Sequence, residues 1–176
     1  AQGGMFTTLI GLYSFSLQVF CDFSAYTDIA IGSALLFGVR LINNFQDPYY
    51  AVSLREYWTK WHISLTSWFT DYVYYPLCLN RKFRISPAVG ILFVFTLSGF
   101  WHGANWTFVV WGLYHSILIY FERFINGWNN FLSNSQRKIV GLIITLPLVM
   151  LGWIPFRANN VSETIKMWIK IWIQLI

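Results

Sequence analysis

Apolar residues run along this chain in long blocks, and the polar positions between them mark where the blocks end. Ala1 to Cys21 holds no Asp, Glu, Lys or Arg; Asp22 interrupts the run, and a second apolar stretch from Ile29 to Val39 is flanked by Asp28 and Arg40. As one helix, Met5 to Gly38 would be about 51 Å long at ~1.5 Å per residue. The hydrocarbon core of a bilayer is only ~30 Å thick. Such a helix must tilt strongly, break near Asp22 or run out of the membrane. Ile85 to Phe121 is 37 residues without Asp, Glu, Lys or Arg. This is too long for one crossing, so two spans with a break at Gly99, Gly103 and Asn105 are predicted. Ile139 to Phe156 adds 18 uncharged residues. Pro147 is predicted to kink this span, which a helix bundle tolerates.

Asn43 to Tyr50 is polar with a proline at position 48, hence a loop. Ser53-Leu54-Arg55-Glu56 reads as a capping box, with Ser53 as N-cap and Glu56 at N3. The predicted helix runs from there to about Asp71, and Pro76 ends any continuation. It is too polar to span freely, so an interfacial, re-entrant or cavity-lining element is expected. At 100° per residue, Arg55, Thr59, His62 and Thr66 form a polar stripe. Trp58, Trp61, Leu65 and Trp68 form an aromatic stripe roughly 110° round the axis. A histidine-bearing polar stripe beside a wall of tryptophan fits the lining of a wet cavity. It fits equally an interfacial helix with belt tryptophans and a solvated histidine.

Composition narrows the class. The 176 residues amount to one domain or part of one. Charged residues make up 11% of the chain, against roughly 25% in a soluble domain. Hydrophobic residues reach 56% and aromatic ones 20%, more than a soluble surface could hide. A soluble globular domain, a disordered region and a coiled coil are excluded, and an integral membrane protein is left. The expected fold is all-α, polytopic membrane helices with a re-entrant or interfacial helix lining a central cavity. The net charge of +5 sits between apolar runs, so a positive-inside bias explains it better than nucleic-acid binding. Arg81, Lys82 and Arg84 precede the 37-residue run, and Arg123, Arg137 and Lys138 follow it. Two crossings return the chain to its starting side, which places both clusters in the cytoplasm and the Trp101–Asn105 break at depth or towards the outer face. Residue 1 is Ala, and Ile176 lies inside an amphipathic segment. The chain is therefore expected to be a single partial domain, 1–176, of a longer membrane protein.

His102 is the sharpest chemical feature, with 17 uncharged residues before it. An ionisable side chain at membrane depth is a functional candidate by default, and imidazole suits general-base work near neutral pH. Alternatively, Gly99 and Gly103 form a small-residue packing seam and His102 bonds across it. Asp22 and Asp28 lie about 120° apart on a helix, so they are no acid/base pair; either could orient a histidine or cap a helix break. His115 reads as a satisfied packing histidine. The scattered Cys and His, including Cys21 and Cys78, show no metal-ligand spacing, and no metal is expected. No GxSxG, HExxH or phosphate-binding glycine loop occurs. What is left is one or two histidines acting on bound substrates.

An ordered set of blocks carries a family likeness: Cys21-Asp22-Phe23-Ser24-Ala25-Tyr26-Thr27-Asp28, Asn44-Phe45, Pro48-Tyr49, Trp61-His62-Ile63-Ser64-Leu65, Asp71-Tyr72, Asn80-Arg81 and Gly99-Phe100-Trp101-His102-Gly103-Ala104. Over roughly residues 10 to 160 the chain resembles the membrane-bound O-acyltransferase family. The likeness is greatest to its bacterial branch, which acetylates alginate and peptidoglycan and D-alanylates teichoic acid. Trp153-Ile154-Pro155-Phe156-Arg157-Ala158 resembles the segment that follows in the family. Family members are longer, so the resemblance implies a C-terminal portion lacking several N-terminal spans. It implies that His102 is the catalytic histidine in a channel through the membrane, with His62 as the second polar site position. Asp22, Arg55, Trp61, Trp101 and Asn105 are the expected channel or supporting residues. The implied activity moves an acyl group, acetyl first of all, from a cytoplasmic thioester to a hydroxyl of an extracytoplasmic polysaccharide or relay protein. The donor would be acetyl-coenzyme A or an acyl carrier protein, with no bound cofactor. An extracytoplasmic acetyltransferase is a further implied partner, and the bacterial plasma membrane is the implied location. D-alanyl transfer to teichoic acid, or a channel or transporter fragment without catalysis, are the alternatives. Cys78-Leu79 stands where the bacterial branch usually has two glycines, Ala25 where Gly is more usual, and Thr59-Lys60 where it has two arginines.

Overall fold

A computed structural model describes residues 4–79, 85–125 and 133–175. Its elements are helical. The order is α1 (Met5–Leu36), a 3-10 turn (Pro48–Tyr50), α2 (Leu54–Lys60), α3 (Ile63–Phe69), a π-helical turn (Thr70–Tyr74) and α4 (Tyr75–Leu79). There follow α5 (Pro87–His102), α6 (Trp106–Ile125), α7 (Asn134–Gly152), α8 (Ile154–Arg157) and α9 (Val161–Leu175). Among the described residues the one extended pairing is an isolated antiparallel bridge between Phe45 and Trp61.

Two helices, Phe6–Leu36 and Asn134–Arg157, are long and apolar enough to cross a membrane, and Pro87–His102 is a shorter apolar helix. α1 runs unbroken through Asp22 for 32 residues, so of the three predicted outcomes for this stretch, the break does not occur. α1 touches the rest of the chain on one side. The Tyr49 hydroxyl donates to the Ser16 carbonyl at 2.6 Å, and Phe15, Val19, Phe20 and Phe23 pack on the aromatic core.

The predicted break in the 37-residue run is present. α5 ends at His102 and α6 begins at Trp106. The Asn105 side chain accepts the Thr107 N–H at 3.1 Å and so caps the new helix. α5 and α6 lie very close: a Cβ on Gly99 would meet the Phe108 carbonyl, and one on Gly112 would meet the Phe95 carbonyl. Two glycines in reciprocal contact let two backbones approach, as small residues do between membrane helices.

The segment from Ser53 departs most from its prediction. Ser53 does cap α2, accepting the Glu56 N–H at 3.0 Å, but the Glu56 carboxylate reaches the Val52 N–H at 2.9 Å instead of that of Ser53. Lys60 pairs with Glu56 at 2.7 Å, and its hydrogen bond holds that carboxyl below the usual glutamate range. The helix then stops at Lys60, seven residues in, and does not continue to Asp71. Trp61 is extended and His62 adopts a left-handed conformation, φ 45°. The polar stripe of Arg55, Thr59, His62 and Thr66 therefore does not exist as one helix face. Pro76 does not end the segment either; it lies inside α4. Upstream, Tyr75 N–H bonds to the Thr70 carbonyl. This wider π turn opens the ladder where the proline ring would collide with the carbonyl four residues back. Cys78, in place of a family glycine, packs its sulfur against Gly90 of α5, where a Cβ would leave it no room.

The core is aromatic. Tyr57, Trp58 and Trp61 of the α2 segment meet Trp111 of α6 and Trp153 after α7, with Val149 and Leu54 beside them. Arg81, Lys82 and Arg84 lie outside the described residues, so that half of the charge argument rests on sequence alone.

Candidate active site

A cavity of about 480 Å³ opens beside this core and is lined by both His62 and His102. They reach it from different elements, 40 residues apart in sequence.

His62 sits at the elbow between α2 and α3. Left-handed backbone is uncommon outside glycine, although His, Asn and Asp tolerate it best, and it costs about 1 kcal/mol or more. Contacts from a distant loop hold it. Gln46 N–H donates to the Lys60 carbonyl and Ile63 N–H to the Asn44 carbonyl, both at 3.0 Å. The Asn44 side-chain oxygen accepts the Ser64 N–H at 3.0 Å and the Ser64 hydroxyl at 2.6 Å, capping α3 from outside the helix. The His62 ring stands edge-on to Phe23 of α1, with centroids 4.7 Å apart. Replacing Asn44 with Ala removes both side-chain bonds and is expected to cost about 1–3 kcal/mol. Thermal unfolding of the detergent-solubilised protein checks this, and an unchanged midpoint would contradict the clamp.

His102 is the last residue of α5. Gly103 follows because a Cβ there would press on the Phe108 ring. The imidazole is half-buried, edge-on to Trp111 at 5.3 Å and to Phe156 at 5.3 Å. Trp101 lies near both histidines, its ring centroid 6.4 Å from that of His62 and 5.0 Å from that of His102. Ser98, Thr66 and Thr70 add hydroxyls to a wall otherwise built from tryptophan, phenylalanine and aliphatic side chains.

The expected supporting residues divide. Trp61 and Trp101 line the cavity. Asp22 is exposed on α1 and does not line it, whereas its neighbour Phe23 does. Arg55 does not line it but lines an adjoining groove with Thr59 and Arg123, which shares Trp58, Thr66, Tyr74, Ile91 and Phe95 with the cavity. Asn105 is exposed; besides capping α6 it donates to the Asn159 carbonyl at 3.0 Å. Trp58, Trp61 and Leu65 of the expected stripe face the cavity, while Trp68 is exposed on the outside. His115 is a packing histidine, 2% exposed and edge-on to Trp58 and Trp111. Among the described residues its Nδ1 has no hydrogen-bond partner, so it is packed but not satisfied. Among the described residues no three His, Cys, Asp or Glu side chains gather to hold a metal ion.

Sequence reasoning missed Trp111, which forms the wall between His102 and Trp58. It also missed Glu122, at 9% exposure the most deeply buried carboxylate of the described residues. A lone acid closing a 37-residue uncharged run was the available signal; beside Arg123 it reads as the start of a loop.

The model of the MBOAT, membrane-bound O-acyltransferase family, matches residues 2–155. The chain is 38% identical to a peptidoglycan O-acetyltransferase of Helicobacter pylori over 153 residues, 87% of this chain and 29% of that protein. It is 37% identical to the probable alginate O-acetylase AlgI of Azotobacter vinelandii over 161 residues, 90% of this chain and 31% of that one. A teichoic acid D-alanyltransferase of Bacillus subtilis is 31% identical over 159 residues, 84% of this chain and 40% of that protein. The chain thus spans less than half the length of each of these relatives. With the match running through both histidine segments and on to Pro155, the chain belongs to the membrane-bound O-acyltransferase family.

Proposed function

We propose that the protein containing this chain is a multi-pass enzyme of the bacterial plasma membrane. It moves an acyl group, acetyl in the first instance, from a cytoplasmic thioester to a hydroxyl of an extracytoplasmic polysaccharide or relay protein. The observation that carries this reading is the meeting of His62 and His102 on one cavity in a member of an O-acyltransferase family. Relatives named for acetylating alginate and peptidoglycan support the acceptor class and the acetyl group.

The chemistry needs little from the protein. A thioester carbonyl is already activated, so the remaining demand is to take a proton from an alcohol whose pKa is far above that of imidazole. Proton removal therefore accompanies attack. In this mechanism the alcohol oxygen bonds to the thioester carbon while His102 accepts the hydroxyl proton. The carbon–sulfur bond then breaks, and the departing thiolate takes that proton from the imidazolium. His62 orients the donor or donates a hydrogen bond to the developing oxyanion. The apolar walls keep water, a competing nucleophile, from the thioester. The elbow between α2 and α3 acts as the re-entrant element, and the donor and acceptor enter from opposite faces. The donor is acetyl-coenzyme A or an acyl carrier protein, and an extracytoplasmic acetyltransferase completes delivery where the acceptor is a relay protein.

Deleting the gene and restoring it tests the reading, with alkali-labile acetyl on envelope glycan as the measure. Acetyl lost on deletion and regained on restoration is expected. Unchanged acetyl with lost D-alanine would assign the D-alanyl reaction instead, and no change in either ester would contradict acyl transfer.

A further inference from the structure

Glu122 lies on α6, buried, yet the mechanism above makes no use of it. Its carboxylate accepts the Leu54 N–H at 2.5 Å and the Arg55 N–H at 3.3 Å. These are the first two residues of α2, 68 and 67 positions away in sequence. The third donor of that turn, Glu56 N–H, goes to Ser53. The N–H groups of Leu54, Arg55 and Glu56 are thus all satisfied, two of them by one carboxylate from another helix.

The placement of this bond gives it its consequence. On α6, Trp111, His115 and Glu122 fall within about 40° of one another and share the face that meets α2. Trp58 contacts Trp111 and His115 with centroids 5.5 and 4.9 Å apart. α2 therefore runs antiparallel along α6, with Leu54 at Glu122 and the His62 elbow towards the Trp111 end. His102 is referred to the same helix, through the close α5–α6 contact at Gly99 and Gly112 and through its ring contact with Trp111. We infer that Glu122 is the positioning residue for His62: it anchors the start of a seven-residue strut whose far end holds that imidazole in register with His102. The inference rests on the proposed joint action of the two histidines.

The test uses the complete protein encoded by the gene, in inside-out membrane vesicles with acetyl-coenzyme A as the donor probe. Rates are normalised to folded protein measured by size exclusion. Misplacement of a catalytic group by about 1 Å from a remote change costs around 10²-fold. Glu122→Ala is therefore expected to lower kcat by about that factor with KM for acetyl-coenzyme A nearly unchanged. Glu122→Gln keeps an oxygen for the Leu54 N–H, and its kcat should recover to within about 5-fold of wild type, a fraction of the loss on full misplacement. Because the effect passes through His62, adding Glu122→Ala to a His62→Ala protein should lower kcat no further. Independent, multiplying losses in that double variant would overturn the inference and leave a purely structural role. So would a Glu122→Gln protein as impaired as Glu122→Ala, or a Glu122→Ala protein with wild-type kcat. A His62→Ala protein with wild-type kcat would remove the two-histidine reading itself, and the inference with it.

Discussion

Replacing His102 with Ala is expected to lower ester formation on the envelope acceptor by about 10²–10⁴-fold, the usual contribution of a positioned general base. The expectation follows from where the ring sits. His102 terminates α5 and lies against Trp111 and Phe156 on the cavity wall. The exposed acids on α1, Asp22 and Asp28, are outside that cavity. No described carboxylate lines the cavity as a substitute base. The rate should therefore collapse without any change in the amount of inserted protein. Cellular ester content, divided by protein in the membrane fraction, is the measure. Normal esterification by a stably inserted His102→Ala protein would reject His102 as the base.

The second large effect is structural. Gly112→Val places a branched side chain where even a Cβ would meet the Phe95 carbonyl and the Thr96 backbone. Backbone cannot swing aside as a flexible side chain does, so α5 and α6 must separate. Overpacking of this kind costs about 3 kcal/mol, at the upper end of its usual range. Separation would also carry His102 away from Trp111, so folded yield and activity should fall together. Gly32→Ala on α1 is the contrasting change. Nothing lies within 4 Å of a Cβ there, and Ala is favoured over Gly inside a helix by about 1 kcal/mol. Thermal unfolding in detergent should show a lower midpoint for Gly112→Val and an equal or higher one for Gly32→Ala. A Gly112→Val protein with an unchanged midpoint would contradict the close helix pair.

What could be read from sequence divides by the range of the interactions involved. The break after His102 was legible because its causes are local: Gly103 and Asn105 stop one helix and cap the next. The α7 block was legible as a long uncharged run. The elbow at His62 was not, because nothing local forces it. Its left-handed backbone is held by Asn44 and Phe45, about 20 residues away, and periodicity extrapolated through it produced a stripe that does not form. Pro76 misled for a similar reason, since the π turn before it lies outside any simple helix repeat. The histidines themselves stood out through motif blocks, and their meeting on one cavity is a tertiary fact. Trp111 carried no signal in a chain with 20% aromatic residues. Asn105 and Asp22 drew attention by being polar within apolar blocks. Polarity locates such a residue along the helix but not which way it faces, and both point away from the cavity.

His62 and His102 line one cavity. Bridging by dibromobimane, which fluoresces only after joining two nearby thiols, reads whether the two positions share that space. All cysteines of the complete protein, Cys21 and Cys78 among them, are first replaced by Ser, and His62 and His102 are then changed to Cys singly and together. Each single variant should take up monobromobimane, and only the double variant should become fluorescent with the bifunctional reagent. Labelling of both single variants without fluorescence in the double one would show that the two positions open onto separate spaces, contrary to a shared site.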